Sequence, residues 1–178
     1  MIWESYYWKT PLLRMARRLR ALKTAGELSE KQLVQIERDI FIGFYSIRKL
    51  FETFGVMTDA ARSLQVRVLW HPNRKRPDAL NSHRLAELYD FEQEERTAKN
   101  IRFVANLIIH SFIFSPCVND GGLEGIFFTS DKERSKRLYF MAIDDVIAAF
   151  ERVGKDYVTE LQTRRDPETG DLTVTKAS

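Results

Sequence analysis

The sequence predicts an α+β protein, mainly α, with a helical bundle core and β-hairpins in its C-terminal third. Apolar residues recur at helical spacing through three long segments before residue 118. After Gly121-Gly122 the chain turns aromatic and β-prone between turn-forming clusters. At 178 residues, 44% hydrophobic and 30% charged, it suits a single domain, 1–178, able to bury a core. Within it a helical body spans 1–118, and a hairpin–helix–hairpin appendage spans 119–178.

Pro11 sets the first turn of a helix over 11–25, because its ring fixes φ where no backbone donor is needed. Leu12, Met15, Ala16, Leu19 and Leu22 line one face, the arginines project from the other, and Gly26 stops it. Ser29 opens the longest helix, with Gln32 completing a capping box. Leu33, Ile36, Ile40, Ile47, Leu50 and Phe54 form its seam, and Gly55 ends it. Gly43 on that seam predicts a close backbone approach by another helix, to offset roughly 1 kcal/mol of lost helix propensity. Residues 59–64 read as a helical turn, and Gln65–Trp70 alternates as a short strand. The segment His71–Pro77, with prolines near both ends, reads as an exposed basic loop.

A second long helix is expected over Glu92–Phe114, stopping before Pro116. Next come a hairpin, 125–129 with 138–142, and a helix capped by Asp144 that buries Val146, Ile147, Phe150 and Val153. A last hairpin pairs 157–164 with 171–176, its turn built on Pro167 and Gly170.

A net charge of +3 and a pI near 9.0 are compatible with a nucleic-acid partner without specifying one. Cys117 is the single cysteine, so no disulfide forms within the chain and a cytoplasmic setting is expected. No run approaches the ~18–20 apolar residues of a membrane span, and the first residues lack a signal-peptide pattern. His71, His83, His110 and Cys117 have no zinc-ligand spacing, and neither a P-loop nor a nucleophile elbow occurs. No metal or cofactor is expected.

The sharpest chemical signal lies within 101–114. Asn106 and His110 interrupt an apolar run, where an unpaired polar group costs roughly 1–3 kcal/mol to bury. At helical spacing Arg102, Asn106 and His110 form one stripe. A guanidinium, an amide and an imidazole in line can hold a phosphate, orient it and move a proton. The competing reading makes Asn106 and His110 buried residues bonded to a neighbouring element.

The helices at 29–54 and 92–114, carrying Asn106 and His110, resemble the HEPN superfamily, helical-bundle proteins of bacterial toxin–antitoxin and antiphage systems. Members carry an arginine, often followed directly by a polar residue, with a histidine usually four to six residues after the arginine. Asn106 and His110 match the polar residue and the histidine. Ala105 stands where the arginine belongs, and Arg102 is the nearest arginine on that face. The resemblance spans roughly residues 30–114. It implies metal-independent RNA cleavage at a homodimer interface, with His110 as acid/base, Asn106 orienting it and Arg102 supplying charge. It also implies RNA, and an antitoxin or other protein, as partners. The alternative is a non-catalytic helical dimerisation or interaction module.

Asp39, Tyr45 and Arg48 form a second polar set. Asp39 and Arg48 lie on opposite faces of their helix, so one of them meets the stripe, or each is a buried ion pair or solvent-exposed. Arg14, Arg17, Arg18 and Arg20, with Arg74, Lys75 and Arg76, are candidate phosphate contacts. Trp3, Tyr6, Tyr7 and Trp8 are candidate stacking surfaces, or packing residues. The apolar circumference of 39–51 predicts a homodimer.

Overall fold

The computed structural model describes residues 2–178. Helices α1 (Tyr6–Leu22) and α2 (Glu30–Glu52) are followed by a turn, α3 (Asp59–Arg62), and strand β1 (Gln65–Pro72). Then come α4 (Leu85–Leu88), β2 (Glu95–Asn100), α5 (Ile101–Ile109) and the strands β3 (Ser111–Asn119), β4 (Gly122–Ser130) and β5 (Arg137–Ala142). Helix α6 (Ile143–Gly154) and the pair β6 (Leu161–Arg165) and β7 (Leu172–Ala177) complete the chain.

The architecture corrects the expected helical bundle. Its centre is a five-stranded antiparallel sheet in the order β2-β1-β5-β4-β3. Helices α1, α2, α5 and α6 share one core with the sheet residues Val66, Val68, Ile126, Phe128, Tyr139 and Met141. Strands from both halves of the sequence make the sheet, since β1 pairs with β2 on one side and β5 on the other.

The largest local departure is Glu92–Phe114, which is three elements rather than one helix. Glu95–Asn100 pairs along β1 as an edge strand. Asn100 then caps α5, its side-chain oxygen accepting from the Arg102 N–H at 2.9 Å. From Ser111 the chain is a strand again, running through Pro116. A proline is tolerated there because β3 lies at the sheet's edge.

Other expectations hold with shifted ends. The capping box of Ser29 and Gln32 is present, and the β4–β5 and β6–β7 hairpins form. Helix α1 starts at Tyr6, ahead of Pro11, which lies inside it. The carbonyl that would have received Pro11's N–H belongs to Tyr7, a residue 74% exposed, so water can serve it. Ala142 occupies the N-cap of α6, and Asp144 sits in its first turn.

Gly43 meets a side chain rather than a helix backbone. A Cβ there would fall 2.2 Å from Cζ of Phe150 on α6. Lys9 is buried and bonds through Nζ to the carbonyls of Val56 at 2.6 Å and Asp156 at 2.8 Å, and to Asp156 Oδ2 at 3.3 Å. Asp156 also accepts from the Thr58 hydroxyl at 2.6 Å, so one buried network ties α1, α3 and the end of α6 together. Among the described residues no helix is long and apolar enough to cross a membrane.

Candidate functional site

Asn106 and His110 line one open cleft of about 600 Å³ on the helix side of the sheet. Its other walls are Arg48 of α2, Phe103 of α5 and the turn Ser130–Glu133 that leaves β4. The sequence segregates these groups by helical spacing. Val104, Ala105 and Ile108 face the core, while Asn106 and, at the C-cap, His110 are left on the cleft side. His110 is exposed, and its backbone N–H donates to the Asn106 carbonyl at 3.2 Å.

The guanidinium of the cleft is Arg48's. Its Nη1 donates to Asn106 Oδ1, and its Nη2 meets Glu52 Oε1 at 2.7 Å. Among the described residues its Nε is buried without a partner, an arrangement that costs roughly 1–3 kcal/mol. The Lys49 ammonium first, and the Arg48 guanidinium after it, hold the Glu52 carboxyl below its usual range. Glu52 is therefore a charged anchor for Arg48.

The turn brings both signs of charge. Asp131 pairs with Arg134 at 3.3 Å, and the Arg134 guanidinium lies 3.9 Å from the centroid of Phe112. Glu133 is held by Lys136 at 3.1 Å and accepts from the Tyr139 hydroxyl at 3.5 Å. Burial pushes the Tyr139 phenol above its usual range, so it stays a donor. The exposed Lys132 lines the cleft between these carboxylates.

Arg102 is exposed in the first turn of α5 and does not line the cleft. Ala105 is fully buried in the core, so an arginine at that position would place its charge among apolar side chains. The spot where the resembled family keeps its arginine therefore faces away from His110's cleft. Asp39 does not reach the stripe. It takes a bidentate bond from Arg18, at 2.6 and 2.8 Å, and one from Gln35 at 2.8 Å.

The basic residues are dispersed. Arg14, Arg17 and Arg20 are exposed on α1, with Arg20 paired to Glu151 at 3.0 Å. Arg74 pairs with Asp90 at 2.7 Å, and its N–H and that of Lys75 donate to the Leu88 carbonyl. Lys75 and Arg76 are exposed beside it, away from α1, which packs on α6 and α2. Trp3, Tyr6 and Tyr7 are exposed, and Trp8 packs on Tyr45 with ring centroids 6.3 Å apart.

The sequence reading missed the turn Ser130–Glu133, which it treated only as a connection. The available signal was that five of the seven residues at 130–136 carry charge directly beside a buried strand end. The chain matches no protein-family model, and comparisons with curated proteins and with solved structures likewise find no match.

Proposed function

We propose that this is an RNA-directed protein whose α5 cleft receives a phosphodiester, and that His110 moves a proton there without a metal. The observation that supports it is the meeting of Asn106 and His110 with Arg48 and Lys132 in one solvent-open cleft. In the reaction the ribose 2′-oxygen attacks phosphorus as its proton passes to His110. The bond to the 5′-oxygen breaks, and that oxygen takes the proton back. Arg48 and Lys132 offset the charge gathering on the phosphoryl oxygens. A setting in toxin–antitoxin or antiphage defence rests on the family resemblance alone.

The test is cleavage of RNA by purified protein in the presence of a chelator. His110→Ala should remove about 10²-fold or more of the rate, the usual scale for a positioned proton-transfer group. Lys132→Ala should weaken cleavage, and Arg102→Ala should leave it nearly unchanged. An inert parent, with His110→Ala lowering only the melting temperature, would end the enzymatic reading.

One observation favours a non-catalytic interaction module instead. Two of the Arg48 donor atoms are already engaged by Asn106 and Glu52, leaving less of the guanidinium for a ligand. Homodimer formation remains part of the proposal, through the outward residues Val34, Ile42 and Tyr45 of α2, each about half exposed. Light scattering that finds only monomer at tens of micromolar would remove it.

A further inference from the structure

The sheet face opposite the helices is covered at one end only. His71 and Leu138 lie there beneath the segment after β1, with Leu88 and Tyr89 in the same small core. The cover ends at Phe91, whose ring lies 4.5 Å from His71 and 5.6 Å from Phe127. Beyond it the face is open. Arg96, Leu69, Phe140, Phe127 and Ser115 are successive cross-strand partners, forming one unbroken row over all five strands. Four gaps of about 4.8 Å make that row about 19 Å long.

The neighbouring row is made of small residues around one cation. Ala98 faces Arg67 across β1–β2, Ala142 faces Gly125 across β4–β5, and Gly125 faces Cys117. The missing side chain of Gly125 is required, because a Cβ there would fall 2.4 Å from the Phe140 ring. The ring thus lies over the glycine, 5.0 Å from Phe127 between centroids. Between the rows runs an open trough of about 530 Å³, floored by Ala98 and Ala142 and walled by Leu69 and Phe140.

We infer that this trough is a docking surface for single-stranded nucleic acid, with a base on Phe140 and phosphates on Arg96 and Arg67. Aromatic faces on an open sheet bind unpaired bases by stacking, and guanidiniums track the backbone. Arg67 and Arg96 line the trough and suit that occupant, although Asp145 lines it too. The Arg67 and Arg96 side chains are 84% and 82% exposed. Arg67 spends Nε and Nη2 on a single oxygen of Asp145, and Arg96 spends the same two atoms on one oxygen of Glu94. Each keeps its remaining N–H donors for a phosphate. The inference takes its ligand class from the RNA-directed reading, but the surface lies across the sheet from the His110 cleft and can stand if that cleft fails.

Fluorescence anisotropy of the intact protein with a labelled 2′-O-methyl oligouridylate, whose blocked 2′-oxygen cannot attack, and with a duplex of equal length, tests it. The single strand should bind and the duplex should not. Phe140→Ala should weaken binding roughly ten-fold or more, as for loss of one stacked base, and Phe140→Tyr should restore it. Two phosphate contacts predict a log–log salt slope of about −1.4, that is 2 × −0.7, and Arg96→Ala should remove about half of it. Phe140→Ala should still cleave a dinucleoside phosphate too short to span both surfaces, so loss of docking and loss of cleavage separate. Equal binding by parent and Phe140→Ala, preference for duplex, or no binding at all would overturn the inference. So would a self-associating parent that Phe140→Ala turns into a monomer without any effect on the oligonucleotide, because a second copy would then be the occupant.

Discussion

The helix side of the sheet buries Val66, Val68, Ile126 and Phe128 under four helices, and its buried charged side chains Lys9 and Asp39 are paired. Lys9 has three acceptors there, and Asp39 has two donor residues. The opposite side keeps Leu69, Phe127 and Phe140 only half-buried and sets Arg67 and Arg96 in solvent beside them. Both sides are apolar along the strands, so strand patterning alone does not decide which is a core. The difference comes from what the connections supply. Four helices return over one face, whereas only the segment between β1 and β2, with its four-residue helix α4, crosses the other. A face left with half-buried aromatics and exposed, ion-paired arginines is the one on which the docking proposal rests.

The comparison breaks first at Lys9. Lys9→Met leaves Asp156 buried with the Thr58 hydroxyl and N–H as its remaining side-chain partners. Removing one partner of a buried pair typically costs 3–5 kcal/mol, and the remaining bonds put this one at about 3 kcal/mol. Chemical denaturation should show a lower midpoint with an unchanged slope. A loss below about 1 kcal/mol would mean that water reaches this site and the helix side is less closed than described.

Gly43→Ala is the next largest. The new methyl would overlap the Phe150 ring, and overpacking costs about 1–3 kcal/mol, against about 1 kcal/mol gained in helix propensity. The net expectation is a destabilisation of up to about 2 kcal/mol by thermal or denaturant unfolding. A stabilised variant would show that Phe150 swings away freely.

On the open face the ion pairs should matter little. Arg67→Ala and Arg96→Ala each remove a pair whose arginine is more than four-fifths exposed, and such pairs contribute about 0–1 kcal/mol. Each variant should unfold within about 0.5 kcal/mol of the parent. A loss of about 2 kcal/mol from either would mean that these arginines hold the fold together, and the contrast between the faces would weaken.

How far the sequence carried these features depended on whether a residue's partner was local. Helix α2 was legible because its cap and its seam lie within one stretch of chain. The β4–β5 hairpin was legible because its aromatic runs flank one turn. β2 was not, because Glu-Arg-Thr-Ala-Lys-Asn has no alternating apolar pattern and becomes a strand only by pairing with β1, about thirty residues earlier. Asn100, directly before an apolar run, was a readable helix start that the longer periodic pattern masked. At the site, the residue types at Asn106 and His110 stood out by their cost in an apolar run. Their partner did not, since Arg48 lies 58 positions from Asn106 and only the packing of α2 on α5 brings them together.

The smallest effect sharpens the contrast within the open face itself. Cys117 lies in the same row as Gly125, at the β3–β4 end beyond the trough, and is half-buried. Burial, with the Glu124 carboxylate 3.5 Å away, pushes its thiol up to about 11. Only the thiolate attacks an alkylating reagent, so the neutral form keeps Cys117 slow at ordinary pH. At pH 8 iodoacetamide should modify it roughly ten-fold or more slowly than an unhindered thiol, allowing for the greater nucleophilicity of a high-pKa thiolate. The rate should climb about ten-fold per pH unit and keep climbing past pH 9.5, where a free cysteine has levelled off. Glu124→Gln should speed the reaction and lower that inflection without moving the melting temperature. A plateau near pH 8.5 in the parent would put Cys117 in open solvent and extend the trough across the whole face. A continued rise would confine it to the β2–β1–β5 side.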